Sequence, residues 1–363
     1  MNPGQRWQLK QHRIRCSQLM EVKRTVLTVV ICITLCLSSV QYYTSSKYTY
    51  GVTVAHKQKS LYSFNDSRCS CIVFGNRTKR ETLHGIGNRL FYYSAIMYVA
   101  WLTGRRPCVW TTSSHMALSK VFDIHISPVD RKYTGCPLYT FRQRLIGVYD
   151  RRVESLVNVS QNTSMLLQGY FQSWMYVEPV AMHLRQHLRF RQELTQFVAD
   201  FLSRSIPSDW SKLKFVRVGV HVRRGDFLRK FHLSAGFTVA NERYLRKAMS
   251  YFVNRFSRVQ FVVVSDDIGW CQKHVKLSTF NKTNVKITFS LKHSPGQDFA
   301  LLASCDHTVM TTGSFSWWAA WLANGTTVYY ANFPKHGSKL SKLFRPREYY
   351  RPNWIGINDD NNS

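Results

Sequence analysis

The sequence predicts an α/β fold with a mostly parallel, doubly wound sheet in its second half. There, short apolar segments alternate with amphipathic ones, which is the pattern of strands joined by helical crossovers. Residues 218–226 read Val-Gly-Val-His-Val-Arg-Arg-Gly-Asp, a buried strand that ends in two arginines, a glycine and a carboxylate. A length of 363 residues and a hydrophobic fraction of 44% allow two domains with sizeable cores.

The first half is predicted to begin its folded part near Cys71. Asn88 suits the N-cap of an apolar helix, and Gly104 suits its end. Pro179 suits the first turn of a later helix, and Pro207 ends this half. The predicted elements are a helix from Asn88 to Gly104, strands at 108–111 and 165–170, and a helix from Pro179 to Leu202.

The second half is predicted to contain five strands with helices between them. The strands are expected at 215–222, 259–264, 285–289, 306–310 and 326–330. The helices are expected at 238–255, 267–276, 297–304 and 314–323. The crossovers between parallel strands are then right-handed.

Polar loops follow three of these strands at their carboxyl ends, where open α/β sheets bind ligands. The loops hold Arg223, Arg224 and Asp226; then Ser265, Asp266 and Asp267; then Thr311, Thr312, Gly313 and Ser314. Two guanidinium groups can hold a diphosphate through bidentate hydrogen bonds, and a Thr-Gly-Ser turn that opens a helix offers N–H groups to an anion. These loops therefore predict a site for a nucleotide or a nucleotide sugar.

Each of these features also has a simpler interpretation. The Arg-Arg-Gly-Asp turn is compatible with an internal ion pair, and Thr-Gly-Ser is compatible with an ordinary N-cap. Arg224-Gly225-Asp226 also spells an adhesion tripeptide, although its place directly after a valine-rich strand disfavours an exposed loop tip.

A metal site is not predicted. The sequence contains no Asp-x-Asp motif that would bridge a diphosphate through magnesium or manganese. The spacing of Cys69 and Cys71 is too tight for an ordinary zinc site. Arginines and a helix N-terminus would then have to stabilise a departing diphosphate.

An uncharged apolar segment at 25–43 predicts a single membrane-spanning helix at the short end of the usual length. Lys23 and Arg24 precede it, so residues 1–24 are expected in the cytosol and the rest across the membrane. Residues 44–70 are rich in Tyr, Ser, Thr and Lys and are interpreted as a stem. A cleaved signal peptide is the alternative.

Glycosylation sequons and cysteines favour the same topology. Asn-x-Ser/Thr sequons follow the apolar segment at Asn65, Asn76, Asn158, Asn162, Asn281 and Asn324. An even set of cysteines also follows it, which suits an oxidising compartment, although their pairing stays open. These are Cys69, Cys71, Cys108, Cys136, Cys271 and Cys305.

The formal net charge of +30 suits anionic partners in general. The basic residues are spread along the chain, and neither zinc-finger spacing nor a helix-turn-helix pattern is present. We therefore expect no nucleic-acid partner, and a solvated basic surface accounts for most of the charge.

Residues 221–226, His-Val-Arg-Arg-Gly-Asp, resemble the His-x-Arg-Arg-x-Asp signature of α1,2-, α1,6- and protein O-fucosyltransferases. Further segments, in family order, narrow the resemblance to galactoside α1,2-fucosyltransferases of the blood-group H type, in glycosyltransferase family 11. They are Gly-Tyr-Phe-Gln-Ser-Trp at 169–174, the block 298–320 with Asp-Phe-Ala-Leu-Leu and Trp-Trp-Ala-Ala, Tyr-Ala-Asn-Phe at 330–333, and Trp-Ile-Gly-Ile-Asn at 354–358. The resemblance covers about residues 75–358.

The resemblance implies a GT-B-like fold of two Rossmann-like lobes with a cleft between them. Residues 71–207 would form the acceptor-side lobe, and residues 208–363 the GDP-fucose-binding lobe and tail. It also implies a single-pass type II Golgi enzyme with a lumenal catalytic domain. Such an enzyme transfers L-fucose from GDP-β-L-fucose to the 2-hydroxyl of a terminal β-galactose, with inversion and without a metal or other cofactor.

The resemblance also carries over particular residues. The expected donor-binding set is His221, Arg223, Arg224, Asp298, Thr312, Gly313 and Ser314. The expected catalytic set is Arg223, Arg224 and Asp226, in which Asp226 is either the base for the galactose hydroxyl or a structural partner of the arginines. One position departs from the family pattern, because Arg89 stands where glutamine is usual.

Two other functions remain open from the sequence alone. A non-catalytic lumenal glycan-binding protein on the same fold is one, and Arg89 is the feature that leaves room for it. An enzyme that uses the same donor with a protein or core-glycan acceptor is the other, and the block 298–320 disfavours it.

Overall fold

The structure is a computed structural model that describes residues 71–74, 85–110, 118–124, 128–129, 136–206, 208–280 and 284–360. The predicted tail, anchor and stem lie outside the described residues. Among the residues described, no helix is both long and apolar enough to cross a bilayer.

The strands of the described residues form three sheets, and every pairing within them is parallel. They are β1 (Cys71–Phe74), β2 (Arg106–Pro107), β3 (Val109–Trp110), β4 (Pro128–Val129), β5 (Leu138–Arg142), β6 (Ser164–Gln168), β7 (Val216–Val222), β8 (Val259–Ser265), β9 (Val285–Phe289), β10 (His307–Met310), β11 (Thr327–Tyr330) and β12 (Ile355–Ile357). The mixed α/β class with parallel sheets is confirmed.

The α-helices of the described residues separate these strands. They are α1 (Ile86–Thr103), α2 (Trp174–Val177), α3 (Ala181–His187), α4 (Gln192–Arg204), α5 (Lys230–Ala235), α6 (Glu242–Val253), α7 (Ile268–His274), α8 (Pro295–Ala303), α9 (Ser314–Ala323), α10 (Lys339–Lys342) and α11 (Pro346–Tyr349). Short 3-10 helices lie at Arg151–Asn158, Glu178–Val180, Ser208–Trp210, Gly225–Leu228 and Leu277–Thr279.

The first half contains a four-stranded sheet in the order β2-β1-β6-β5. A disulfide between Cys71 and Cys108 ties β1 to the segment after β2. Helix α1 begins after Gly85 and ends at Gly104, whose φ of 69° is the left-handed conformation that glycine adopts easily. Asn88 was predicted as the N-cap, which is wrong: the cap is Gly85, and Asn88 lies inside the first turn.

The second half contains a six-stranded sheet in the order β12-β11-β10-β7-β8-β9. All five strands predicted for this half are present, and Ile355–Ile357 adds a sixth at the edge. The chain runs from β7 outward through β8 and β9, then returns to place β10, β11 and β12 on the other side. The order therefore reverses between β7 and β10, and such a switch point opens a crevice at the carboxyl ends of the strands.

Strand β7 is buried on both faces. Val218, Val220 and Val222 are fully buried, as the alternating pattern predicts. The opposite face is also covered, because helices pack on both sides of a parallel sheet. On that face a Cβ at Gly219 would lie 3.1 Å from Leu302 of α8.

Helix capping explains where the site-bearing helices begin. Ser294 and Gln297 form a capping box at α8, so this helix starts two residues before the predicted boundary. Asp267 caps α7 by accepting a hydrogen bond from the Trp270 N–H at 3.2 Å. Helix α9 runs from Ser314 to Ala323, as predicted, and its tryptophans Trp317, Trp318 and Trp321 are fully buried.

The helix predicted from Pro179 to Leu202 is broken in the structure. Pro179 lies in the 3-10 turn Glu178–Val180, and α3 and α4 follow as separate helices. The break lies near Phe190, which pairs with Phe122 in an isolated bridge. Helix α4 then packs against α8 of the six-stranded sheet, where Val198 contacts Ala300 and Leu301.

Candidate functional site

Two loops meet at the switch point between β7 and β10. The Arg223 N–H donates to Thr311 Oγ1 at 2.9 Å, and the Thr311 N–H donates to the His221 carbonyl at 3.2 Å. The arginine turn after β7 and the Thr-Gly-Ser turn after β10 are therefore held side by side, as the sequence predicts for carboxyl ends of neighbouring strands.

Arg223 is held between two carboxylates. Its Nη2 lies 2.5 Å from Asp226 Oδ1, and its Nη1 lies 3.1 Å from Asp266 Oδ2. Its guanidinium carbon also lies 5.4 Å from the centre of the Phe227 ring. The side chain stays 35% exposed, so an anion in the crevice can reach it without the core being rearranged.

Arg224 is held against an aromatic face. Its guanidinium carbon lies 3.9 Å from the ring centre of Trp270, and its Nε donates to Asp267 Oδ2 at 3.2 Å. The side chain is only 15% exposed. Cation–π stacking orients a guanidinium while leaving the edges of its fork free for hydrogen bonds.

The carboxylates of the β8 loop place both arginines. Asp266 Oδ1 accepts the Arg224 N–H at 2.8 Å while Oδ2 pairs with Arg223. Gly225 lies directly against this carboxylate, since a Cβ there would be 2.4 Å from Asp266 Oδ2. The predicted ion pair within the turn is present between Arg223 and Asp226, and Asp266 of the neighbouring loop adds a second pair with Arg223. A side chain at position 225 would have to displace Asp266.

The Thr-Gly-Ser turn is built for close approach to the backbone. Gly313 has a φ of 97°, a conformation that side chains disfavour, and it is the N-cap of α9. Thr312 is fully buried, and its Oγ1 is without a hydrogen-bond partner in the structure. The turn therefore offers a helix N-terminus beside the arginines.

His221 is buried beneath the two loops. Its ring lies 5.1 Å from that of Phe315, and its buried Nδ1 has no hydrogen-bond partner among the described residues. Burial, with Arg223 nearby, lowers the pKa of His221 to about 3. The ring is therefore neutral at physiological pH and does not act there as a charged donor.

Asp298 lies farther along the same edge of the sheet. Its Oδ1 accepts from Ser290 Oγ at 2.5 Å, and Ser290 Oγ lies 2.7 Å from His293 Nδ1. Burial raises the pKa of Asp298. Ser290 directly follows β9, which is two strands from β7, or about 10 Å at the usual strand spacing.

A bridge joins this site to the first half of the chain. Asn88 Oδ1 accepts from Ser314 Oγ at 2.5 Å and from Gln172 Nε2 at 2.8 Å. Gln172 follows β6, so the carboxyl edges of the two sheets approach each other through Asn88. Arg89, the departure from the family pattern, is buried in the next position of α1, where burial lowers its pKa.

Three of the predicted sequons can be located. Asn158, Asn162 and Asn324 are exposed, whereas Asn65, Asn76 and Asn281 lie outside the described residues. Among the described residues, no group of three or more His, Cys, Asp or Glu side chains is arranged to hold a metal ion.

Sequence reasoning missed the residues that orient the arginines. Trp270 gave no signal, because one aromatic in the first turn of a helix is usually part of the core. Asn88 was noticed, but as a cap. Asp266 and Asp267 were assigned to the correct edge of the sheet without a role, since pairing between loops depends on strand order.

The switch-point site, with paired arginines and a helix N-terminus, is that of an enzyme class that handles activated sugars. The family model of glycosyl transferase family 11 matches residues 81–358, and the chain belongs to this family. The resemblance inferred from the sequence is confirmed.

Two relatives with established names support this membership, and one solved structure is reported beside them for its similarity alone. Galactoside alpha-(1,2)-fucosyltransferase 1 of Alouatta caraya is 33% identical over 276 residues, which cover 76% of this chain and 73% of that protein. The protein of the same name from Homo sapiens is 33% identical over 285 residues, with coverages of 76% and 73%. The crystal structure of POFUT1 in complex with GDP-fucose has a TM-score of 0.47 and 10% identity, and covers 73% of this chain and 99% of that chain.

Proposed function

We propose that this protein transfers L-fucose from GDP-β-L-fucose to the 2-hydroxyl of a terminal β-galactose, forming an α1,2 linkage with inversion. One observation carries the proposal: in a member of glycosyl transferase family 11, Arg223 and Arg224 lie at the switch point of a parallel sheet beside the N-terminus of α9. The names of the relatives supply the acceptor and the linkage.

The diphosphate of the donor binds between the arginine turn and the Thr-Gly-Ser turn. Arg223 and Arg224 donate from their guanidinium edges, and the backbone at Gly313 and Ser314 donates from the helix N-terminus. Thr312 Oγ1 and His221 lie beneath the phosphates and complete the group of residues that bind GDP-fucose. Asp298, about two strand spacings away, contacts the nucleoside.

Negative charge grows on GDP as the bond to fucose breaks, and the two guanidiniums balance it. The fucose carbon develops oxocarbenium character, so alignment of the galactose hydroxyl supplies much of the rate. Asp226 holds Arg223 in place, because its Oδ1 is already paired with that guanidinium. No metal takes part in this scheme, and no cofactor is needed besides the donor substrate.

The architecture we propose is GT-B-like, with two Rossmann-like lobes and a cleft between them. Residues 71–207 form the acceptor-side lobe, and residues 208–363 form the donor lobe and tail. The Asn88 bridge supports a shared cleft, because it links Gln172 of the first half to Ser314 of the second.

We further propose a type II Golgi membrane protein with residues 25–43 as its anchor and a lumenal catalytic part. The exposed sequons at Asn158, Asn162 and Asn324 support this topology. Replacement of the six predicted sequon asparagines by glutamine should lower the apparent mass of the protein expressed in secretory cells. Unchanged gel mobility would argue against the topology.

The activity is tested by incubation of the purified protein with GDP-fucose and a panel of β-galactosides, with and without EDTA. Transfer to the galactose 2-hydroxyl that persists in EDTA is the expected result. Loss of transfer in EDTA would refute the metal-independent scheme. Absence of both transfer and donor hydrolysis would favour a non-catalytic glycan-binding protein, and transfer only to protein or core-glycan acceptors would refute the galactoside assignment.

A further inference from the structure

A cavity of 390 Å³ lies beyond the carboxyl end of β5. This volume is within the range of sites that hold small ligands, roughly 300 to 1,000 Å³. Four arginines and two carboxylates take part in its lining: Arg144, Arg151, Arg152, Arg345, Asp150 and Glu348. We call it the arginine pocket.

Both carboxylates of the arginine pocket already have donors. Asp150 Oδ1 accepts from Arg152 Nε at 2.9 Å, and its Oδ2 accepts from Arg152 Nη2 at 2.5 Å. Glu348 Oε2 accepts the Tyr149 N–H at 2.7 Å, and its Oε1 accepts from Arg345 at 3.1 Å. One arginine thus neutralises each carboxylate, so no carboxylate of the pocket pairs with the other two arginines.

Arg144 and Arg151 are the arginines that remain. Both are exposed, and among the described residues neither side chain has a hydrogen-bond or ion-pair partner. Two arginines without a counter-charge among the described residues therefore line one cavity. Guanidinium groups in this situation are suited to a planar or tetrahedral oxyanion.

A series of contacts connects the arginine pocket with the Thr-Gly-Ser turn after β10. Met175 forms part of its wall, and Gln172, three residues earlier, is bonded to Asn88, which is bonded to Ser314. Three residues of chain span at most about 10 Å. These contacts define the path along which we place an oligosaccharide that reaches from the pocket to the switch point.

We propose that the arginine pocket binds a negatively charged substituent, a sulfate ester or a carboxylate, on the acceptor glycan. The proposal rests on the proposed function, because it makes the pocket part of the acceptor site. Arg144 and Arg151 bind the anion, while Leu145 and Met175 contact the apolar face of the sugar that carries it. The enzyme then prefers an acidic β-galactoside to the neutral one.

The test compares three acceptors with one β-galactoside core: neutral, sulfated on the neighbouring sugar, and carrying a carboxylate sugar there. We expect kcat/KM for one or both charged acceptors to exceed the neutral value by about tenfold at low salt, and the excess to fall as salt rises. A preference for the sulfate or for the carboxylate identifies the source of the anion.

The variants separate this preference from general effects. The double variant R144Q/R151Q should bring the ratio of charged to neutral kcat/KM close to one, and each single variant should give an intermediate ratio. Arg246→Gln, at an exposed arginine on α6, is the matched control and should keep the wild-type ratio. Direct titration of the sulfated acceptor into wild type and double variant measures binding independently of turnover.

The outcomes distinguish the two proposals. Equal turnover of all three acceptors, or a ratio that survives R144Q/R151Q, overturns the arginine pocket and leaves the proposed function standing. Absence of transfer to every acceptor overturns the proposed function, and the titration then still decides whether the pocket binds the anion. Weaker binding of the sulfated acceptor by the double variant than by the wild type supports the proposal for the arginine pocket.

Discussion

Gly87 and Ser314 are in backbone contact across the two halves of the chain. A Cβ on Gly87 would lie 2.3 Å from the Ser314 carbonyl carbon and 2.5 Å from the Phe315 nitrogen. The first turn of α1 therefore rests directly on the first turn of α9, and Phe91 packs against Trp317 with ring centres 4.7 Å apart. Gly87 of the first half therefore positions the N-terminus of α9, which lies beside Arg223 and Arg224 in the second half.

Gly87→Ala should push these two helices apart. The overlap is with backbone, which cannot rotate away, so we expect a loss of about 1–3 kcal/mol in the free energy of unfolding and a fall of about tenfold in kcat/KM. Chemical denaturation and initial rates measure the two effects. Gly85→Ala is the matched control, because a Cβ there meets nothing within 4 Å. Equal behaviour of the two variants would contradict the contact.

Arg224→Lys should keep the positive charge but lose the planar guanidinium that makes bidentate hydrogen bonds. A lysine cannot make two parallel hydrogen bonds to a phosphate while stacked on Trp270, so we expect kcat/KM for GDP-fucose to fall about 100-fold. Arg246→Lys is the control on the surface of α6. Near-normal turnover of the Arg224 variant would make this arginine peripheral to the donor.

Trp270→Leu should release the Arg224 guanidinium. A cation–π contact with a partly buried arginine contributes about 0.5–2 kcal/mol, which corresponds to a rise of about twofold to thirtyfold in the KM for GDP-fucose. Trp270→Phe should restore part of the loss, because it retains an aromatic face. Steady-state kinetics with varied donor measures this, and an unchanged KM in the leucine variant would show that the stacking is incidental.

His221 should make folding sensitive to acid. Its folded pKa of about 3 lies below its unfolded value of 6.5, so below pH 6.5 the unfolded state binds the proton and the folded state does not. The stability that the neutral His221 ring contributes is complete above pH 6.5 and is lost progressively as the pH falls from 6.5 towards 3. Between pH 7 and pH 5 we expect a loss of about 2 kcal/mol from this group.

The acid effect is isolated by His221→Gln, which cannot titrate. Urea unfolding at pH 7 and pH 5 should show a smaller difference for the variant than for the wild type. Half-buried histidines such as His187 and His307, whose pKa burial also lowers, contribute equally to both proteins. An identical pH difference in the two proteins would mean that His221 is protonated in the folded state.

The sequence was sufficient for five strands of the six-stranded sheet, because these strands are apolar runs bounded by polar turns. β12 was missed because it is three residues long and only partly buried, so no periodicity marks it. The first half was harder to predict. The break near Phe190 depends on a tertiary pairing with Phe122, which local spacing does not encode.

The site shows the same division between local and tertiary information. Arg223, Arg224 and the Thr-Gly-Ser turn were identifiable, because each follows a recognisable strand. Their partners were not, because Asp266 and Trp270 reach them only through the strand order β7-β8. The position of Asn88 between Ser314 and Gln172 depends on both halves at once and leaves no trace in local sequence.

The described cysteines of the first half are disulfide-bonded, whereas those of the second half are free thiols, so the two halves should respond differently to reductants. The Cys71–Cys108 bridge braces the four-stranded sheet, and Cys136 is also disulfide-bonded. Cys271 and Cys305 of the second half are buried thiols, and burial raises their pKa to about 11 and about 12. They are therefore poor nucleophiles at neutral pH. A mild reductant should loosen the half that contains the four-stranded sheet while the half that contains the six-stranded sheet stays intact.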